Sequence, residues 1–128
     1  MATTTLGQDN FETTINENDI VLVDWWASWC GPCRMFAPIF ERAAEDNPDI
    51  VFGKIDTEAE RGLSAAAGIT SIPTLMAFKD GSLVFAQPGA LPAPALAELV
   101  QAVRDLDIEA ARQAASDRES ADQEAATS

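Results

Sequence analysis

The chain has 128 residues, 47% of them apolar, with 21 acidic residues against 8 basic ones, no histidine and a net charge of −13. That is enough apolar sequence for one globular domain with its own core, and too much for an intrinsically disordered chain. The charge excludes nucleic acid, whose binding depends on neutralising phosphates, and gives no affinity for anionic membranes; no stretch approaches the ~20 consecutive apolar residues of a membrane span.

Residues 1–9 show neither the basic cluster nor the apolar core of a secretory signal, so a reducing cytoplasm is the expected location. Asp9-Asn10-Phe11-Glu12 has the form of a capping box, with Asp9 as cap and Glu12 reaching back, opening a short helix to about Asn16. Ile20-Val21-Leu22-Val23-Asp24-Trp25-Trp26 is too continuously apolar for a half-exposed strand and is expected to be a buried central one. From Gly31 to about Asn47 apolar residues recur at spacings of three and four, which predicts a helix, kinked at Pro38. Residues 50–56 predict a second strand. Residues 58–67 predict a helix ending at a left-handed Gly68.

Asp80-Gly81 between the apolar runs 74–79 and 82–87 predicts a hairpin, and Gly89 breaks the pattern. A last helix starting near Pro92 or Pro94 carries Leu96, Leu99, Val100, Val103 and Leu106 on one face. The expected order is α-β-α-β-α-β-β-α, an α/β fold with a mixed central sheet and helices on both faces. From residue 107 the chain turns polar, rich in Ala, Ser, Asp and Glu. We expect a domain over residues 1–106 and an acidic tail over 107–128, helical at first and disordered beyond about Ala115. With no heptad or second apolar face, a monomer is expected.

Cys30 and Cys33 are the only cysteines, and they lie where the buried strand hands over to the long helix. The N–H groups at a helix start favour a thiolate over a thiol on the first sulfur. The second, one turn on, is within reach of a short-range disulfide. Half of a zinc site is the first alternative, but a closed site needs about four ligands and there is no histidine. A static crosslink is the second, but it would close almost no loop and stabilise little. Two-electron exchange is the reading that suits the spacing best, and no metal or bound cofactor is expected.

Trp29-Cys30-Gly31-Pro32-Cys33 after a strand, then Ile72-Pro73-Thr74, then Gly89-Ala90, resembles the thioredoxin family from about residue 5 to 106. The resemblance implies the thioredoxin fold and a protein-disulfide reductase. Its partners would be disulfide-containing proteins as substrates and, as electron source, a flavoprotein thioredoxin reductase using NADPH. It implies Cys30 as nucleophile, Cys33 as resolving cysteine, and Gly31 and Pro32 as residues that tune the potential. Asp24 would accept the proton of Cys33, paired with Lys54. Pro73 would be a cis-proline facing the disulfide, with Trp29, Ile72, Gly89 and Ala90 completing the substrate-binding surface. Pro88 stands where a β-branched residue is usual and removes a main-chain N–H from the groove. A thioredoxin-like binding module with dispensable redox chemistry is the competing class. The complete Cys30, Cys33, Asp24 and Pro73 set speaks for the reductase.

Overall fold

The structure is a computed structural model that describes residues 2–110, 112–114, 116 and 117. A five-stranded sheet is built from β1 (Thr4–Thr5), β2 (Ile20–Trp26), β3 (Val51–Asp56), β4 (Thr74–Lys79) and β5 (Ser82–Pro88), in the order β1-β3-β2-β4-β5. β3 pairs in parallel with both β1 and β2, while β2–β4 and β4–β5 are antiparallel. The helices are α1 (Phe11–Glu17), α2 (Gly31–Asp46), α3 (Arg61–Ala66) and α4 (Ala93–Asp105). β2 lies at the centre, as its unbroken apolar run demands, and Ile20 through Trp25 are buried.

Side chains alternate across each strand, so β2 divides the core in two. Leu22 joins Phe52, Leu75 and Ala77 under Phe36 and Phe40 of α2 and Leu96, Val100 and Val103 of α4. Val21, Val23 and Trp25 join Leu6, Ile15, Ile55 and Met76 on the other face, with Phe11 of α1 and Leu63 of α3 packed against them. Asp24 lies on the same sheet face as Leu22. It is the carboxylate beneath α2.

Asp80 (φ 51) and Gly81 (φ 80) both take the left-handed conformation, which suits a two-residue hairpin turn whose twist matches the strands. Gly68 (φ 72) ends the α3 region as expected. α2 runs through Pro38 to Asp46.

Three local expectations differ. The helix-opening residue of α1 is Asn10, with no side-chain cap. Instead the Asn10 side chain accepts from the Gly7 N–H (2.8 Å) and donates to the Thr5 carbonyl (3.2 Å), tying the turn back to β1. α3 begins at Arg61 rather than 58, because the Asp56 carboxylate accepts the Glu58 N–H (2.9 Å) and holds the chain in a turn. The order also gains β1, two threonines paired alongside Gly53 and Lys54.

Beyond α4, residues 108–110, 112–114, 116 and 117 are helical, opened by Asp107, whose carboxylate accepts the N–H groups of Glu109 (3.0 Å) and Ala110 (3.1 Å). Most of the stretch expected to be disordered, residues 118–128, lies outside the described residues.

Candidate active site

Cys30 is the N-cap of α2. Its backbone is extended, and its sulfur accepts the Cys33 N–H at 3.2 Å. Gly31 and Pro32 occupy the first helical positions, where a missing N–H costs nothing. Cys30 and Cys33 are joined in a disulfide. Both residues are buried, Cys30 at 4% and Cys33 at 3% exposure. Trp26 and Ile72 pack against the Ala27–Cys30–Cys33 cluster and account for this.

The Ile72–Pro73 peptide bond is cis. The Ile72 carbonyl oxygen lies 3.8 Å from the Cys30 sulfur, which carries no hydrogen in a disulfide, so this is a contact and not a hydrogen bond. Among the described residues, the Ile72 N–H has no protein partner. Gly89 (φ 105) donates its N–H to the Pro73 carbonyl at 2.7 Å, which fastens the exposed Gly89-Ala90 segment alongside the cis-proline. Because that bond joins residues 73 and 89, the next pair, Thr74 and Pro88, is a non-bonded one. The Pro88 nitrogen therefore faces the open edge of the sheet, where a proline is tolerated.

Asp24 is 1% exposed, and neither carboxylate oxygen has a protein partner among the described residues. Burial pushes its pKa up from 3.8 to about 7, against a smaller pull downward from the Lys54 charge. Lys54 stands opposite Asp24 in the β2–β3 register. It makes no ion pair with Asp24 among the described residues. Its ammonium sits over the Trp26 ring, 5.0 Å from the centroid, where an aromatic face competes for the cation. The expected pair is an electrostatic neighbour, without a direct bond.

A family model described as Thioredoxin matches residues 2–102. The chain belongs to the thioredoxin family. With the Cys30–Cys33 disulfide at its centre, it is a thiol–disulfide oxidoreductase. A thioredoxin-named protein of Streptomyces coelicolor is 50% identical over 118 residues, 92% of this chain and 88% of that one. Thioredoxin 1 of Synechococcus elongatus is 46% identical over 89 residues, 68% of this chain and 83% of that one. The solved structure of a mutant thioredoxin from Halobacterium salinarum superposes with a TM-score of 0.75 at 35% identity, covering 82% of this chain and 92% of that one.

As in a thioredoxin, the redox centre is the cysteine pair itself, and no group of three or more metal-ligating side chains forms among the described residues. No described helix is long and apolar enough to cross a membrane. Trp29 stands 65% exposed beside the disulfide. Its indole N–H donates to Glu58 at 3.2 Å, a residue the sequence did not single out. A glutamate in a chain of 21 acids carries no local signal, and its partner lies 29 residues away.

Proposed function

We propose that this thioredoxin is a cytoplasmic, monomeric protein-disulfide reductase whose catalytic unit is residues 1–106, the acidic residues 107–128 forming an appendage. The observation that carries this reading is the Cys30–Cys33 disulfide at the start of α2, set beside the open backbone of Ile72. An extended substrate segment bonds the Ile72 backbone and lies across Trp29, Pro73, Gly89 and Ala90. In the reduced protein, the N–H aimed at the Cys30 sulfur stabilises negative charge there, as do the first-turn amides.

The Cys30 thiolate attacks one sulfur of a substrate disulfide. The substrate S–S bond breaks, a mixed disulfide forms on Cys30, and the departing sulfur leaves as a thiolate that takes a proton. Cys33 then gives its proton to the Asp24 carboxylate and attacks the Cys30 sulfur. That releases the second substrate thiolate and closes the Cys30–Cys33 disulfide. An acceptor with a pKa of about 7 is matched to this step at neutral pH. Lys54 tunes Asp24 by its charge, and Gly31 and Pro32 set the geometry that tunes the potential. Two electrons pass to the substrate. NADPH returns them through a flavoprotein thioredoxin reductase, as the family resemblance implies.

The roles are separable. Cys33→Ser removes the resolving step, so incubation of the reduced variant with a disulfide protein should accumulate a mixed disulfide on Cys30, identified by peptide mass spectrometry. Cys30→Ser should accumulate none. A substrate bonded to Cys33 in place of Cys30 would reverse the assignment.

A further inference from the structure

The two rims of the reactive disulfide are held in different ways. On one side, the segment at Gly89 is fixed through backbone, by its N–H to the Pro73 carbonyl at 2.7 Å. On the other stands Trp29, 65% exposed, a large ring that buries little within the fold. A ring that free would sample several rotamers, and each would present a different surface to an incoming chain.

The contacts around Trp29 limit that freedom. Its indole N–H donates to one oxygen of Glu58 at 3.2 Å, and the other oxygen of Glu58 accepts from the Arg61 guanidinium at 2.7 Å. The Glu58 N–H donates to the Asp56 carboxylate at 2.9 Å, and Asp56 is the last residue of β3. Thr57 donates both its N–H (2.9 Å) and its hydroxyl (3.0 Å) to the carbonyl of Trp26, the last residue of β2. Trp29 is thus reached from the rigid ends of two sheet strands, through a two-residue link and one carboxylate braced from α3.

We propose that Glu58, braced by Arg61, is a positioning residue for substrate docking, holding the Trp29 indole in one bearing beside Cys30 before a disulfide-bearing chain arrives. The proposal rests on the disulfide-reductase reading above. Glu58 touches no reacting atom, so its effect is on docking and not on sulfur chemistry. The arrangement gives the fold little, since Glu58 and Arg61 are solvated and the ring they orient is outside the core. Its benefit is pre-organisation: the ring's rotamer freedom is already restricted when the partner meets it. Glu58 and Arg61 share that rim with Arg34, whose guanidinium lies 3.5 Å from the Ser28 carbonyl.

The test uses the full chain and three variants. Glu58→Ala removes both bonds, Glu58→Gln keeps an acceptor for the indole, and Arg61→Ala removes only the brace. With dithiothreitol supplying electrons and insulin as substrate, E58A should raise KM about three- to tenfold with kcat within about twofold, the range expected for one rim anchor. R61A and E58Q, each of which keeps an acceptor for the indole and loses the brace, should show a smaller rise of KM. The rate of the reduced protein with a small disulfide such as cystamine, which needs no rim, should be unchanged in all three.

The hold itself is read separately, by NMR, from solvent exchange of the Trp29 indole proton, which should quicken in E58A and not in E58Q. An unaltered insulin KM in E58A would overturn the docking role, as would an equal loss with cystamine. Unaltered indole exchange would overturn the hold. A wild-type protein that fails on insulin, while its indole exchange responds as expected, would instead sink the reductase reading and the docking role resting on it.

Discussion

Asp24 carries the sharpest energetic statement in the molecule. Its carboxyl is buried among β2, β3 and α2 with both oxygens unpartnered among the described residues, and burial lifts its pKa to about 7. The folded state therefore binds this proton more tightly than the unfolded chain, where the usual value of 3.8 holds. Its contribution to stability is complete below pH 4 and is lost as pH rises through 7. A shift of that size corresponds to about 4 kcal/mol between the two ends of the range. Asp24→Asn should accordingly be more stable than wild type at pH 8, with the advantage shrinking to nothing near pH 4, as thermal melts across that range would read. A pH-independent difference would contradict the burial account. Asp24 was legible in the sequence, because a carboxylate within an unbroken apolar strand has nowhere solvated to go. Lys54 came from the family resemblance as the partner of Asp24, and the structure makes it a neighbour without a bond, since the pull of the Trp26 ring appears only once the strands are side by side. Glu58 was not legible at all, its meaning coming entirely from a residue 29 positions away.

The elements themselves follow from periodicity wherever apolar spacing is strong, and their ends follow from tertiary bonds. The end of α4 shows this. Lys79, the last residue of β4, donates to the carbonyls of Val103 (2.8 Å), Arg104 (2.9 Å) and Leu106 (2.7 Å), so its three protons meet three acceptors at a helix terminus. Arg104 grips the Asp49 carboxylate with two nitrogens, at 2.7 and 2.9 Å, and holds its pKa down at about 2. Together they fasten α4 to the sheet at the end of β4 and β5 where their hairpin turns. Lys79→Met removes the shared donor and should cost about 2 kcal/mol, lowering Tm by roughly 8 °C while leaving disulfide exchange unchanged. An unchanged Tm would mean that water replaces the ammonium without loss. None of this is visible in a lysine at the end of an apolar run. β1 was equally hidden, because its two threonines carry no pattern. It is held by pairing with β3 and by Leu6, which lies where a side chain at Gly53 would have to sit.

Across the whole molecule, charge is unevenly spread. A chain of net charge −13 presents, around its disulfide, loops that are uncharged from Gly62 to Phe78 and again from Gly81 to Ala97. The acidic body favours solubility, and the uncharged loops face a charged rim at Trp29, where Glu58 and Arg61 stand. The sheet joins the two, holding the Cys30 helix terminus, the Ile72–Pro73 bend and the Asp24 carboxylate in one region. The most direct test is NADPH oxidation coupled to insulin reduction through a thioredoxin reductase, with dithiothreitol as an alternative electron source and Cys30→Ser as control. The account predicts steady turnover that the substitution abolishes. A folded wild-type protein that reduces no insulin, even with dithiothreitol, would contradict it.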